Sequence, residues 1–180
     1  MQRVVLDTCV LFPNYLRDTL LRLAEAELYE PLWSTDILDE LTRNVGERIG
    51  ALKAKGLVEA MAGAFPDSLV SGYAALVPAM ANDPKDRHVL AAAVRGQAHA
   101  VVTLNLKDFP AEASAPYEIE VLCPDDFLLD MLDLAPAEVT AVLRVQSGSY
   151  RREPRDLHGL LDRLGAGGVP QFAAEFRRRL

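Results

Sequence analysis

The sequence has few of the residues that build disulfide frameworks, zinc sites or membrane spans. Its 180 residues include two cysteines, Cys9 and Cys123, too far apart for a motif of closely spaced thiol ligands. No apolar run approaches the roughly 20 residues that a membrane-spanning helix needs, and the chain does not open on a signal-like segment. We therefore expect a cytoplasmic protein without a membrane partner, whose thiols serve in packing.

Positive charge is also scarce over most of the chain. Lys and Arg number 19 against 26 Asp and Glu, a net charge of -7. Residues 143–180 hold eight Arg and four acids, which leaves eleven bases against twenty-two acids in residues 1–142. An acidic body argues against nucleic-acid binding by bulk charge, because that mode needs many cations to displace counter-ions from phosphates. Any contact with RNA should be local.

Short apolar runs alternate with helical patterns through the first two-thirds of the chain. Four runs are typical of buried strands: "RVVLD", "EPLW", "AHAVVTLN" and "YEIEVLCP". Helical spacing is found from Asp18 to Tyr29, from Ser34 to Gly46, from "NDPKD" to Gly96, and after Pro124, Pro136, Asp156 and Pro170. Residues 47–81 are broken by Gly and Pro and are predicted to be mostly helical or irregular, without defined element boundaries. The alternation predicts a three-layer α/β/α domain with a mainly parallel sheet, followed by a helical C-terminal extension.

Acidic residues stand where the predicted strands end. In open parallel sheets, ligands bind beyond the carboxyl ends of the strands. Asp7 follows "VVL", Asp108 follows the strand in "AVVTLNLKD", Asp86 starts the helix before that strand, and Glu40 lies on a helix. Any one of them could be an ordinary turn or cap residue. As a cluster they would repel and raise one another's pKa, which a divalent cation such as Mg²⁺ or Mn²⁺ relieves.

A cation in such a cluster suits phosphodiester hydrolysis. It can polarise a phosphoryl oxygen, help a water to lose its proton and, with a second ion, stabilise the leaving oxygen. Other phosphate chemistries are disfavoured. An aspartyl phosphatase would have Asp in place of Cys9, and a cysteine phosphatase would have an Arg closing a phosphate loop after Cys9. A receiver domain would have paired acids where "VVLDT" has one.

Four motifs in order, "LDTCVL", "STDILDEL", "DPKDRHVLAAA" and "VVTLNLKDF", resemble those of the PIN-domain nucleases, particularly VapC-type toxins, over about residues 3–127. The resemblance implies a PIN-like nuclease domain over residues 1–128 and a helical extension over residues 129–180. It implies that the metal-binding and catalytic carboxylates are Asp7, Glu40, Asp86 and Asp108, supported by Thr8, Thr103 and Asn105. Many PIN sequences have Asp at the position of Asn105, so the fourth carboxylate either comes from Asp108 or is partly missing.

The resemblance also implies a biochemical activity and partners. The activity is that of a Mg²⁺- or Mn²⁺-dependent endoribonuclease, commonly a homodimer, acting as the toxin of a type II toxin-antitoxin pair. A cognate antitoxin would insert side chains into the acidic pocket. The alternative is a PIN-like RNA-binding or regulatory module with weak metal affinity and no turnover, because a fold does not by itself fix an activity.

Cations that border the acids are candidate contacts for the flanking phosphates of an RNA substrate. These are Arg43, Lys85, Arg87 and Lys107. The basic segments "YRREPR" and "FRRRL" could add phosphate contacts, or could dock on the acidic body or on a partner. His88, His99 and His158 show no ligand spacing and are interpreted as surface or capping residues.

Overall fold

The computed structural model describes all 180 residues and contains one five-stranded sheet. Its strands are β1 (Arg3–Leu6), β2 (Glu30–Ser34), β3 (Leu69–Val70), β4 (Ala100–Val102) and β5 (Glu120–Leu122), and all are parallel in the order β3-β2-β1-β4-β5. Val5 lies between Leu32 on one side and Val101 on the other. Val4, Val5 and Leu6 are fully buried because both faces of the sheet are covered. The predicted parallel sheet is confirmed.

Ten helices connect and cover the strands. They are α1 (Thr8–Leu11), α2 (Asn14–Glu25), α3 (Thr35–Ile49), α4 (Ala51–Ala64), α5 (Arg87–Arg95), α6 (Ala111–Ser114), α7 (Pro124–Leu134), α8 (Pro136–Ser149), α9 (Leu157–Ala166) and α10 (Pro170–Arg178). Short 3₁₀ turns cover Ala74–Ala79, Pro84–Asp86, Leu106–Asp108 and Ala115–Tyr117. None of the helices has both the length and the apolar composition needed to cross a membrane.

Most predicted helix boundaries agree with the structure, and three differ. Helices α7, α8 and α10 begin at the predicted prolines, and Asp156 is the N-cap of α9. The predicted stop at Gly46 is wrong, because α3 continues to Ile49 and ends at Gly50, whose φ of 94° favours glycine. Helix α4 turns back against α3 there, with Ala51 and Ala54 beside Gly46. Helix α2 spans Asn14–Glu25, so it begins one turn before the predicted start at Asp18 and ends one turn before the predicted end at Tyr29.

The order of the strands determines where a ligand site can form. The chain passes from β1 to β2 and β3 on one side, then crosses through α5 to β4 on the other side of β1. The crevice at such a reversal, outside the carboxyl ends of the strands, is the usual ligand site of open α/β sheets. The Asp7 N–H donates to the Val102 carbonyl at 3.1 Å, so the residues following β1 and β4 meet there.

The helices after β5 pack into the same hydrophobic core as the sheet. Phe127 of α7 meets Tyr29 edge-to-face, with ring centroids 5.1 Å apart, and Phe172 and Phe176 of α10 are buried in the continuous apolar cluster. The buried Gln146 of α8 is hydrogen-bonded to the Thr19 hydroxyl of α2 at 2.9 Å. The division into residues 1–128 and 129–180 stays a prediction; residue 128 lies inside α7.

Candidate functional site

Asp7 is held in one orientation at the end of β1. It is the N-cap of α1, where its Oδ1 accepts the Thr8 N–H at 2.7 Å. Its Oδ2 accepts the Thr103 hydroxyl at 2.7 Å and the Cys9 thiol at 3.3 Å. Only 4% of the residue is exposed. Both predicted supporting threonines thus contact Asp7. The Thr8 hydroxyl in addition donates to the Ile37 carbonyl of α3 at 3.2 Å.

Cys9 is a packing and hydrogen-bonding group in this arrangement. Burial, followed by the charge of Asp7, raises the pKa of its thiol to about 12, so the sulfur stays protonated at neutral pH. The Sγ atom accepts the Leu104 N–H at 3.2 Å while the thiol donates to Asp7. The thiol thus connects the segments that follow β1 and β4.

Asp86 faces Asp7 from the 3₁₀ turn that precedes α5. It is 8% exposed, and its carbonyl accepts the Asn82 side-chain amide at 3.0 Å. The carboxylate Oδ2 is buried without a hydrogen-bond partner. Burial, with the negative charge of Asp7 as the second cause, raises the pKa of Asp86 to about 7. The two acids therefore converge although 79 residues separate them.

Asp108 lies beside Asp86 in the 3₁₀ turn after β4. Its carbonyl accepts the Asp83 N–H at 3.1 Å, which joins its turn to the turn that contains Asp86. Its Oδ2 lies 2.9 Å from Lys85 Nζ, so the two side chains form an ion pair at hydrogen-bond distance. The interaction with Lys85 holds the pKa of Asp108 below its usual value.

A cavity of about 720 Å³ opens beside these acids, within the size range of small-molecule sites. Five predicted residues line it: Glu40, Arg43, Lys85, Asp86 and Asn105. Asp7 and Asp108 are not in its lining and adjoin Asp86 instead. A second cavity, of about 500 Å³ around Tyr29 and Phe65, contains none of the predicted residues.

The cavity of about 720 Å³ is also lined by residues that were not predicted as site residues. Asp36 and Asp39 precede Glu40 on α3 and line the cavity with it. Like Glu40, they lie outside the apolar stripe of that helix, and this position was the sequence signal that could have identified them. The hydroxyl of Tyr73 donates to Asp36 Oδ2 at 2.7 Å and accepts the Asp36 N–H at 3.2 Å. Tyr73 lies in the stretch without a definite pattern, so no signal indicated it. His88 lines the cavity with a buried, unpaired Nδ1, whereas it was interpreted as a surface or capping residue.

The other predicted cations have different surroundings. Arg87 donates through Nε to the Asn82 carbonyl at 3.1 Å, and therefore supports the turn that carries Asp86. Lys107 is exposed and forms no ion pair. In the tail, Arg177 pairs with Asp162, Arg178 with Glu175, and Arg179 with Asp133 and Glu175. Arg177 and Arg179 thus pair with acids of the neighbouring helices α9 and α7, whereas Arg178 pairs with an acid of its own helix.

The donor set fits a hard divalent cation. Oδ2 of Asp86 is buried without a hydrogen-bond partner, and carboxylate oxygens are the ligands that Mg²⁺ and Mn²⁺ prefer. In the present arrangement no three Asp, Glu, His or Cys side chains converge closely enough to hold one ion. Assembly of a complete ligand set therefore requires side-chain rotation.

The raised pKa of Asp86 predicts a pH-dependent stability of the metal-free protein. The ordinary pKa of this carboxyl is 3.8, and burial moves it to about 7 in the folded protein. Between these values the folded state holds the extra proton, so the free energy of unfolding falls as pH rises and then levels off. Urea unfolding in EDTA from about pH 5 to about pH 8 should show a shallower dependence for Asp86→Asn than for the wild type. An equal pH dependence of the unfolding free energy in the two proteins would contradict a raised pKa of Asp86.

The sequence model of the family described as "PIN domain" matches residues 3–107, more than half of the chain, and that described as "VapC50 C-terminal domain" matches residues 124–178. A curated protein of Mycobacterium tuberculosis (strain ATCC 25618 / H37Rv), "Putative ribonuclease VapC50", is 54% identical over 107 residues. The match covers 59% of this chain and 63% of the relative, less than two thirds of its length. No solved structure matches.

Proposed function

Because the chain belongs to the PIN-domain family, we propose that it is a metal-dependent endoribonuclease that hydrolyses RNA phosphodiester bonds. The observation that carries the proposal is the meeting of Asp7, Asp86 and Asp108 at the carboxyl ends of β1 and β4, beside a cavity lined by Glu40. The name of the mycobacterial relative supports RNA as the substrate class.

The four carboxylates would hold the cation, and the remaining residues orient them or the substrate. A bound Mg²⁺ or Mn²⁺ would polarise a phosphoryl oxygen and ease the deprotonation of an attacking water. Thr103 and Thr8 fix the carboxylate of Asp7. Arg43 and Lys85 lie at the cavity, where their charges would bind phosphates on either side of the cleaved bond.

The charge distribution indicates how RNA would approach. Net charge is -7, so most of the surface repels a polyanion and attraction is confined to local groups of cations. We assign Arg43, Lys85, Arg87 and Lys107 to this role, and we expect the RNA to present unpaired nucleotides to the cavity. Arg151 and Arg152 are exposed without ion pairs, unlike the arginines of α10.

We further propose a toxin role in a type II toxin-antitoxin pair, with a homodimeric, cytoplasmic protein. An antitoxin would neutralise the acidic cavity with cationic side chains. Asp36, Asp39, Glu40 and Asp86 offer such side chains four acceptors within one cavity.

The proposal is tested by incubating the purified chain with end-labelled RNA and mapping the cleavage sites. We expect cleavage at defined positions with Mg²⁺ or Mn²⁺, none with EDTA, and recovery when the cation is restored. The competing function is a binding module, favoured by the neutral Asn105 at the cavity and by the Lys85 ion pair, which both weaken metal affinity. RNA binding that is unchanged by EDTA, without cleavage under any condition, would establish that module instead.

A further inference from the structure

Lys85 forms an ion pair inside the proposed catalytic cluster. Its Nζ lies 2.9 Å from Asp108 Oδ2, a buried carboxylate oxygen. We propose that Lys85 is an internal counter-ion of this cluster, which a divalent cation displaces from Asp108 when it binds. The inference rests on the proposed function and concerns how tightly the site holds its cation.

The two partners of the ion pair differ in mobility. The Asp108 side chain is 8% exposed, and its turn is fixed by the Asp108 N–H to the Asn105 carbonyl at 2.9 Å and by the Asp83 N–H to the Asp108 carbonyl. The Lys85 side chain is 63% exposed, although its backbone N–H is held by Asp83 Oδ1 at 3.1 Å. The carboxylate is therefore built into the fold, whereas the ammonium is the movable end of a flexible stem.

Two cations at one carboxylate repel each other. The Lys85 ammonium lies 2.9 Å from Asp108 Oδ2, so a metal ion bound to the same carboxylate would meet a second positive charge at close range. The ion pair therefore lowers the apparent affinity for the metal, and displacement of the ammonium from Asp108 relieves the repulsion.

The displaced side chain stays within reach of the substrate. Lys85 lines the same cavity as Arg43, and its exposed stem allows the ammonium to turn from Asp108 towards the cavity. Cation binding would then release a positive charge beside the position of the RNA phosphates. Metal loading and phosphate binding are coupled in this arrangement through one side chain.

The test is Mn²⁺ affinity, measured by electron paramagnetic resonance on the metal-free protein without RNA. Lys85→Met should bind Mn²⁺ about threefold more tightly than the wild type, a factor typical of a partly exposed ion pair. Lys107→Met is the matched control, because it removes the same charge one residue from Asp108 without breaking an ion pair. It should change the affinity by a clearly smaller factor.

Equal or weaker Mn²⁺ binding by Lys85→Met, or equal gains in the two lysine variants, would overturn the role of Lys85. In those cases Mn²⁺ binding by the wild type would leave the proposed function standing. Failure of both the wild type and Lys85→Met to bind Mn²⁺, with folding verified by circular dichroism, would reject the metal-dependent nuclease and the counter-ion together. Mn²⁺ binding by Lys85→Met but not by the wild type would support the role of Lys85 as a counter-ion.

Discussion

Asp7→Asn is expected to abolish RNA cleavage, lowering its rate on the order of 10³-fold or more, while the protein stays folded. The amide has the shape of the carboxylate, and its oxygen can still accept the Thr8 N–H that caps α1. The Thr103 hydroxyl, which now donates to Asp7 Oδ2, can rotate to accept from the new amide. The stability cost should therefore be about 1 to 2 kcal/mol, since one buried hydrogen bond is replaced by another.

The chemical cost of this substitution is larger because the lost group is an anion that faces Asp86. Its charge is the second cause of the raised pKa of Asp86, so that pKa should move back towards its ordinary value in the variant. An amide is a poorer ligand than a carboxylate for a hard cation. Mn²⁺ binding should weaken together with cleavage, whereas a purely structural role for Asp7 would leave Mn²⁺ binding in the folded variant unchanged.

The control is Asp130→Asn, which removes the same charge from an exposed position on α7 without hydrogen bonds or ion pairs. It should cleave RNA like the wild type. Three measurements on both variants decide the matter: the cleavage rate, thermal unfolding and Mn²⁺ affinity. Substantial cleavage by Asp7→Asn would remove the residue from the catalytic machinery and with it the main support for a PIN nuclease mechanism.

The convergence of the acids could be predicted from sequence because parallel strands bring their carboxyl ends to one edge. Asp7 follows β1 directly, and Asp108 follows β4 by a short turn, so local patterns place both near that edge. Asp86 was identified as the start of α5, which is the crossover that leads to β4. The strand order that makes β1 and β4 neighbours was not predicted, since it depends on long-range pairing.

The parts of the site that were missed depend on contacts between distant segments. Tyr73 reaches Asp36 across 37 residues, from a stretch whose glycines and prolines hide any period. Strand β3 has only two residues, too few for an alternating pattern. Lys85 was predicted as a phosphate contact, but its ion pair with Asp108 spans two loops and has no local signal.

The composition of the basic tail also could not predict which groups its arginines contact. The sequence left open phosphate contact, docking on the body or docking on a partner, and the structure shows ion pairs to Asp133, Asp162 and Glu175. Exposed pairs of this kind contribute little to stability individually. The stronger anchor of α10 is a buried carboxylate at its other end, Asp125 of α7, whose importance no sequence pattern indicated.

Asp125→Ala is expected to lower the free energy of unfolding by about 2 to 4 kcal/mol. The carboxylate is 5% exposed and accepts the Phe172 N–H at 2.7 Å and the Gln171 N–H at 3.0 Å. These N–H groups belong to the first turn of α10, where a helix has no internal acceptors, and the N-cap residue Val169 supplies none. Asp125 therefore caps α10 from a different helix and also places a negative charge at its positive end.

Removal of this cap should loosen the extension more than the sheet. Phe172 and Phe176 anchor α10 in the common core, so amide hydrogen exchange should accelerate in α10 before it does in β1 or β4. Asp126→Ala is the matched control, since the neighbouring side chain is exposed and the N–H groups of α10 go to Asp125 instead. In urea unfolding this control should lose less than about 1 kcal/mol. Similar losses in both variants would show that α10 is held by its apolar face and not by Asp125. If only Asp125→Ala is strongly destabilised, the extension depends on a cap that α7 provides, and its docking is part of the same cooperative fold that positions Asp7.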